Sequence, residues 1–478
     1  MHQRIIISPN AFSLKNVSIR NHDNQIMNRK PSPSLTLNRR GFLARGAAIT
    51  AGLSVIPGHV LGLNGANPAS ERINLAGIGV GGQGASDLNS LSSQNIVALC
   101  DVDWNHAAGT FKRFPQAKRH KDYRKMLEEQ KDIDAVVVAT PDHVHAFATL
   151  MALKLGKPVY CEKPLTHSVW EARQVAEATR KSGLATQMGN QGQASEDTRR
   201  LCEFVGAGAI GPVREVHIWT DRPSNGLFKE YWPQGVDRPR ETPSIPDQLD
   251  WDLWIGPAPS RPYHSIYAPF RWRGWWDFGT GALGDIGCHS FDPVFRALKL
   301  GPPSSVQATS SRFNEETYPL ASIVRYQFPA RGDMPPLTLH WYDGGLKPTR
   351  PDELEEGREL GSNGRLLIGD KGVIFGSRLI PESKARDFPE PPKTLKRSPG
   401  HHQEWIHAIK GGEKPGSNFE WAGPLAEAVL LGNIALRASL REELTHKNLR
   451  WDSANLRFTN CEEANRFLRR DYRQGWSL

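Results

Sequence analysis

The chain has few cysteines, no long apolar run in its main body and no surplus of either charge there. Its five cysteines (100, 161, 202, 288 and 461) are odd in number, scattered and never spaced as C-x-x-C. That leaves no disulfide framework and no thiolate zinc site. Cys100 and Cys161 close apolar runs, as buried reduced thiols do. Beyond the N-terminal segment, no uncharged apolar run reaches the roughly 18 residues of a membrane span, so none is expected in the mature protein. The formal net charge is +9, but residues 1–69 hold eight basic residues and one acid, and the remainder nets only +2. A body so nearly neutral has no basic footprint for a phosphate backbone, and nucleic acid is not an expected partner. No internal repeat is visible.

A chain of 478 residues is long for one compact domain, and two domains plus an appendage are expected. The appendage is residues 1–69. It contains Asn38-Arg39-Arg40-Gly41-Phe42-Leu43, followed by Ala-, Gly- and Val-rich sequence with no charge between Arg45 and Glu71. This pattern resembles a twin-arginine export signal. It implies a periplasmic protein carried out already folded, with any cofactor aboard.

The body opens as strand, glycine turn and helix. Ile73–Ile78 is an apolar run, Gly79–Gly84 a glycine loop, and Ile96–Cys100 a second apolar run ending at Asp101. Ala135–Ala139 and Pro158–Cys161 read as buried parallel strands, Ala146–Leu155 and Val169–Ser182 as helices. This alternation predicts a doubly wound α/β Rossmann domain over residues 71–190. From about residue 210 the texture shifts: Val213–Thr220 and Ala321–Phe328 alternate apolar and polar residues as half-exposed strands do, and Leu337–Tyr342 and Arg365–Ile368 are further strand candidates. Residues 191–478 are expected to form a second domain, a mixed sheet covered by helices.

Gly79-Val80-Gly81-Gly82-Gln83-Gly84 fits G-x-G-x-x-G, with Asp101 ending the next strand 17 residues beyond Gly84. Glycines let backbone approach a pyrophosphate held by helix N-terminal amides. Asp101 would accept from the adenosine ribose hydroxyls and repel a 2′-phosphate, which favours NAD over NADP.

Three further motifs narrow the reading: Thr140-Pro141-Asp142-His143-Val144-His145, Glu162-Lys163-Pro164, and Gly284-Asp285-Ile286-Gly287-Cys288-His289. Together they resemble the glucose–fructose oxidoreductase / inositol dehydrogenase / rhizopine catabolism (Gfo/Idh/MocA) family. The closing Tyr472-Arg473-Gln474-Gly475-Trp476 is similar to the end of exported members. The resemblance implies an NAD-dependent oxidoreductase acting on a sugar or polyol, a C-terminal α+β domain with a large, mostly antiparallel sheet, and a homo-oligomer. It places Lys163 beside the nicotinamide. His289 is the natural base, with an ordinary pKa of about 6.5. Asp285, four residues earlier, shares its helix face and can bind substrate or orient the imidazole. Lys163 supplies a cation for developing alkoxide charge. Thr140, Pro141, His143, His145 and Glu162 are expected around the cofactor, with no metal at the paired histidines.

Seven of the 14 tryptophans fall between residues 219 and 276. Indole faces stack on the C–H faces of sugars, which marks Trp272, Arg273, Trp275 and Trp276 as substrate-binding candidates beside Asp285 and His289. One alternative uses the same residues. Glycoside hydrolase family 109 shares the architecture and cleaves glycosides through transient oxidation, without consuming NAD.

Overall fold

The computed structural model describes residues 71–224 and 230–478. The leader, residues 1–69, lies outside the described residues. Six strands build the first sheet: β1 (Asn74–Ile78), β2 (Asn95–Cys100), β3 (Lys118–His120), β4 (Ala135–Val138), β5 (Val159–Glu162) and β6 (Thr186–Gly189). They lie in the order β3-β2-β1-β4-β5-β6, every neighbouring pair parallel. Every residue of β4 and β5 is buried, which is why both appear as unbroken apolar runs rather than alternating ones. The order reverses between β1 and β4, and open α/β sheets bind ligands in the crevice at such a point.

Helices α1 (Gly82–Ser90), α2 (Ala108–Arg113), α3 (Tyr123–Glu129), α4 (Asp142–Lys154) and α5 (Val169–Ser182) make the crossovers. Ser168 and Glu171 cap α5 reciprocally, and Gly183 ends it with φ of 65°, a left-handed position that costs glycine little. Helix α4 starts at Asp142, one turn before the expected Ala146. Pro141 occupies its N-cap, and the polar first turn shows no apolar period because Asp142 and His143 are satisfied by distant partners, the Thr280 hydroxyl and the Phe278 and Trp254 carbonyls.

The second half contains α6 (Glu196–Gly206), β7 (Val213–Trp219), α7 (Trp251–Ile255), α8 (Gly281–Leu298), β8 (Ser305–Ser310), β9 (Ser322–Phe328) and β10 (Leu337–Tyr342). It continues with β11 (Gly364–Gly369), β12 (Gly372–Phe375), β13 (Arg378–Ile380), α9 (Glu382–Asp387), α10 (His401–Ile409), α11 (Phe419–Ala438), β14 (Leu449–Asp452), β15 (Arg457–Phe458) and α12 (Glu462–Asn465). Its nine strands run β13-β12-β11-β7-β10-β9-β8-β14-β15. Only β7 and β10 pair in parallel; the other pairs are antiparallel.

Burial alternates along β10, with Leu337, Leu339 and Trp341 inward. Phe291 and Phe295 of α8 meet Tyr326, Phe328 and Trp341 edge-on. Each such side chain contributes about 1.5–3 kcal/mol on burial. Helix α11 is apolar nearly all round and buried along most of its length, as expected of a helix with protein on every side. It packs on α5 of the first half and on α8 and β8 of the second. All five cysteines are free thiols, four of them buried and Cys202 half-buried. No helix among the described residues is long and apolar enough to cross a membrane.

Candidate active site

The turn between β1 and α1 is built on contacts that only glycine permits. Gly79 has φ of 76°, and a Cβ there would stand 2.7 Å from the backbone of Ala139 and Thr140. A Cβ on Gly84 would overlap the Gly79 carbonyl oxygen, and one on Gly81 the His106 ring. The loop thereby lies directly on the end of β4. Gly81 at the N-cap makes no side-chain cap, while Gly82 and Gln83 are exposed to the cavity. Uncapped amides at a helix N-terminus attract an anion.

Asp101 faces this loop. Its Oδ2 accepts from the amides of Val80 (2.8 Å) and Gly81 (3.2 Å), and its Oδ1 from the amide of Asp103 (2.9 Å). Burial pushes its carboxyl above the usual range, opposed by these amide bonds. Asp101 therefore ties the glycine loop to the end of β2, besides being available to a ligand.

A cavity of about 450 Å³ runs from the glycine loop to α8. Lys163, at the carboxyl end of β5, reaches across it. Its Nζ donates to Asp285 Oδ1 (2.6 Å) and to the Asp285 carbonyl (2.9 Å). Arg273 Nε donates to the same Oδ1 at 3.2 Å, so two cations share one carboxylate. Burial opposes charge on Asp285, but Lys163 and Arg273 outweigh it and hold the carboxyl well below its usual range. Burial likewise opposes the Lys163 ammonium, yet Asp285 keeps its pKa above the ordinary value. His289, one turn along α8, lines the cavity. Burial and then Lys163 push its pKa down to about 3, so the imidazole is neutral at neutral pH.

Asp142 and Glu162 back this cluster. Asp142 Oδ2 accepts from Thr280 Oγ1 at 2.5 Å, and burial pushes its carboxyl up to about 7. Glu162 accepts from Gln191 Nε2 (2.8 Å) and the Lys163 amide (3.2 Å); burial, then Asp87, push it up to about 8.

The cavity walls bring together Gly79, Gly81, Gly82, Gln83, Asp101, Thr140, Pro141, Glu162, Lys163, Trp272, Arg273, Asp285 and His289. Five other candidates sit elsewhere: Gly84 is buried under the loop against the Gly79 carbonyl, and four more lie outside the wall. His143 is fully buried and not in the wall; its ring nitrogens face the carbonyls of Phe278 (3.2 Å) and Trp254 (3.1 Å). His145 lies between the carbonyls of Pro164 (2.7 Å) and Thr140 (2.8 Å), bracing the Lys163 turn from behind. Trp275 and Trp276 are 0% and 4% exposed, too deep to stack on a sugar. Trp276 instead lies on Tyr318, with ring centroids 3.6 Å apart. Trp272 does reach the cavity, but the Arg273 guanidinium covers its ring at 4.3 Å.

Other wall residues escaped the sequence reading: Asp142, His106, Tyr123, Gln191, Arg222, Tyr231 and Trp476. Asp142 and Trp476 stand inside stretches already singled out, so a signal was there. Nothing local marks the rest.

Two family models match this chain. Residues 72–190 match the oxidoreductase family's NAD-binding Rossmann fold, and residues 198–318 its C-terminal alpha/beta domain. The chain is 35% identical to the inositol 2-dehydrogenase of Rubrobacter xylanophilus over 147 residues, 30% of this chain and 42% of that protein. It is 32% identical to the D-glucoside 3-dehydrogenase of Escherichia coli over 127 residues, 27% of this chain and 35% of that protein. These matches span less than half the length of either relative. The solved WlbA dehydrogenase from Chromobactrium violaceum, in complex with NADH and UDP-GlcNAcA, superposes with a TM-score of 0.54 at 17% identity, covering 80% of this chain and 97% of that one; at this identity the likeness concerns the fold. Both halves carry one family's signature, and the chain belongs to the Gfo/Idh/MocA oxidoreductases.

Proposed function

We propose that the protein oxidises a secondary hydroxyl of a sugar, glycoside or polyol, using a tightly held NAD. One observation carries this: a single cavity has the uncapped first turn of α1 and Asp101 at one end, and Lys163, Asp285, Arg273 and His289 at the other. The fit to a dinucleotide is good. The loop is as close to β4 as glycine allows, and the first turn of α1 lacks a side-chain cap. When bound, the dinucleotide supplies a hydride acceptor.

The chain's own residues handle charge and proton. Lys163 stays protonated and lowers the cost of negative charge on a substrate oxygen beside it. Asp285, itself held by Arg273, fixes its ammonium in place. Neutral His289 lines the same cavity and is placed to take the hydroxyl proton as the carbon loses its hydride, when the O–H is most acidic.

For that role the imidazole must be neutral. With its pKa lowered to about 3, the neutral form persists as pH falls far below the ordinary histidine value. The acid limb of native kcat/KM is expected well under pH 5, and His289→Ala is expected to abolish turnover. A limb near the ordinary histidine pKa of about 6.5 would argue against His289 as the proton acceptor.

Asp101→Ala is expected to weaken NAD binding about tenfold, since the loop amides lose their acceptor, and to relax discrimination against NADP. Titrating both cofactors checks it; unchanged preference would remove Asp101 from that role.

The reaction itself is tested by incubating the full chain with NAD and a panel of inositols, free sugars and p-nitrophenyl glycosides, following reduced cofactor and nitrophenol separately. Formation of NADH is expected, and its absence with every substrate would overturn the proposal. Nitrophenol release without NADH would indicate the redox-neutral glycosidase instead, a reading the named relatives do not support.

We also infer export through the Arg39-Arg40 leader to the periplasm. A lysine pair in place of these arginines should then trap the protein inside the cell. Self-association is proposed through the half-exposed outer face of the nine-stranded sheet, at Glu215, His217, His340 and Tyr342. A monomer in light scattering would refute it.

A further inference from the structure

We propose that the C-terminal tail and the segment 248–257 form a clamp that retains the dinucleotide, with Trp476 contacting the cofactor. The inference rests on the NAD-binding reading of the cavity and goes beyond it.

Trp476 forms part of the cavity wall. The arginine of α3, Arg124, covers its ring at 4.5 Å, and Phe147 of α4 meets it edge-on at 5.6 Å. These contacts place it between the first turn of α3 and the second turn of α4. That is the end of the cavity where Asp101 closes β2, with β1 and β4 separating β2 from β5 and Lys163. A ligand whose ribose meets Asp101 would have its base, rather than its reacting ring, near this indole.

The tail that delivers Trp476 is anchored along its length. Arg470 Nε (2.8 Å) and the Tyr472 hydroxyl (3.1 Å) both donate to Glu171 Oε1, and Arg470 Nη2 donates to the His143 carbonyl at 2.5 Å. Glu171 is fully buried and also caps α5. Arg473 pairs with the Asp252 carboxylate, and its Nε donates to the Gly256 carbonyl at 2.9 Å.

Asp252 and Gly256 lie in a segment that itself grips the loop after β2. The Trp104 amide donates to the Gln248 carbonyl (3.2 Å), the Asp250 amide to the Val102 carbonyl (2.9 Å), and Asp103 bridges to Leu249. Asp103 in turn donates its amide to Asp101. A continuous set of bonds therefore runs from the tail, through 248–257, to the residue that would hold the ribose. None of it is needed to form either sheet. Its physical effect is to preorganise one wall and to oppose release, and changes of this kind act chiefly on the dissociation rate. A protein exported with its cofactor aboard would need such slow release.

The test uses the full chain with Trp476→Ala, Trp476→Phe and Arg473→Gln. NADH dissociation is followed by stopped-flow fluorescence, and NAD content is measured by absorbance after denaturing the purified protein. Trp476→Ala is expected to release NADH about tenfold faster, the size of one lost base–aromatic contact, and to purify with less NAD. Trp476→Phe should restore most of the retention. Arg473→Gln removes the pair with Asp252 and the bonds to the Gly256 and Asp252 carbonyls and should speed release. A purely structural tail would lower the melting midpoint without altering release. If native protein binds NADH and both the alanine and glutamine variants release it at the native rate, the clamp is overturned alone. If native protein binds no NADH, the cofactor reading falls and the clamp with it.

Discussion

Lys163→Met is expected to cut NADH formation by about a thousandfold, the scale of losing a charge aimed at a developing oxyanion in a dry site. The methionine fills similar space but removes both donors to Asp285. Asp285 would keep only Arg273 at 3.2 Å. Leaving a buried carboxylate short of a partner costs up to about 3–5 kcal/mol, so a lower melting midpoint should accompany the lost rate. Binding of NADH, read by fluorescence, should survive because the glycine loop is untouched. A variant within about tenfold of native activity would remove Lys163 from the reaction.

Gly84→Ala should be as severe through geometry alone. The added methyl has no space beside the Gly79 carbonyl oxygen, and that atom is backbone, so relief requires α1 to move away from β1. Overpacking of this kind costs about 1–3 kcal/mol or more. The displaced helix N-terminus would also abolish NADH binding. Gly109→Ala is the matched control: it sits in α2 with nothing within 4 Å of a new Cβ. There alanine should stabilise by about 0.5–1 kcal/mol with binding unchanged. Denaturant melts and NADH titrations of the two variants make the comparison, and equal behaviour would show that the loop is looser than it looks.

What could be read from the sequence was local in origin. The first sheet was visible because β4 and β5 are buried on both faces and so carry apolar runs, and because Gly183 and Ser168 mark the ends of α5 where they stand. The mixed sheet was visible from the alternation along β7 and β9. The roles of single residues in the site were less legible, because distant backbone decides them. His143 looks like a ligand residue in its own stretch, yet its partners, Trp254 and Phe278, lie 111 and 135 residues away. Trp275 and Trp276 carry the same side chain as Trp272, and only the tertiary packing separates core rings from a cavity wall. The pKa of His289 likewise could not be read from its residue type. It follows from burial and the nearby Lys163 ammonium, brought from the other half of the chain.

The seat of His143 also bears on how the molecule moves. This side chain belongs to the first half, and its ring is enclosed by carbonyls of the second. Pulling the halves apart would strand a buried imidazole and the carbonyl it bonds, at about 1–3 kcal/mol per group. Thr280, donating to Asp142 across the same seam, adds a second staple. Hinge opening, the usual route into two-domain enzymes, is thus held shut at its pivot. A ligand that enters without breaking these staples is left with small displacements of side chains in the cavity wall, such as Tyr231 and Arg222.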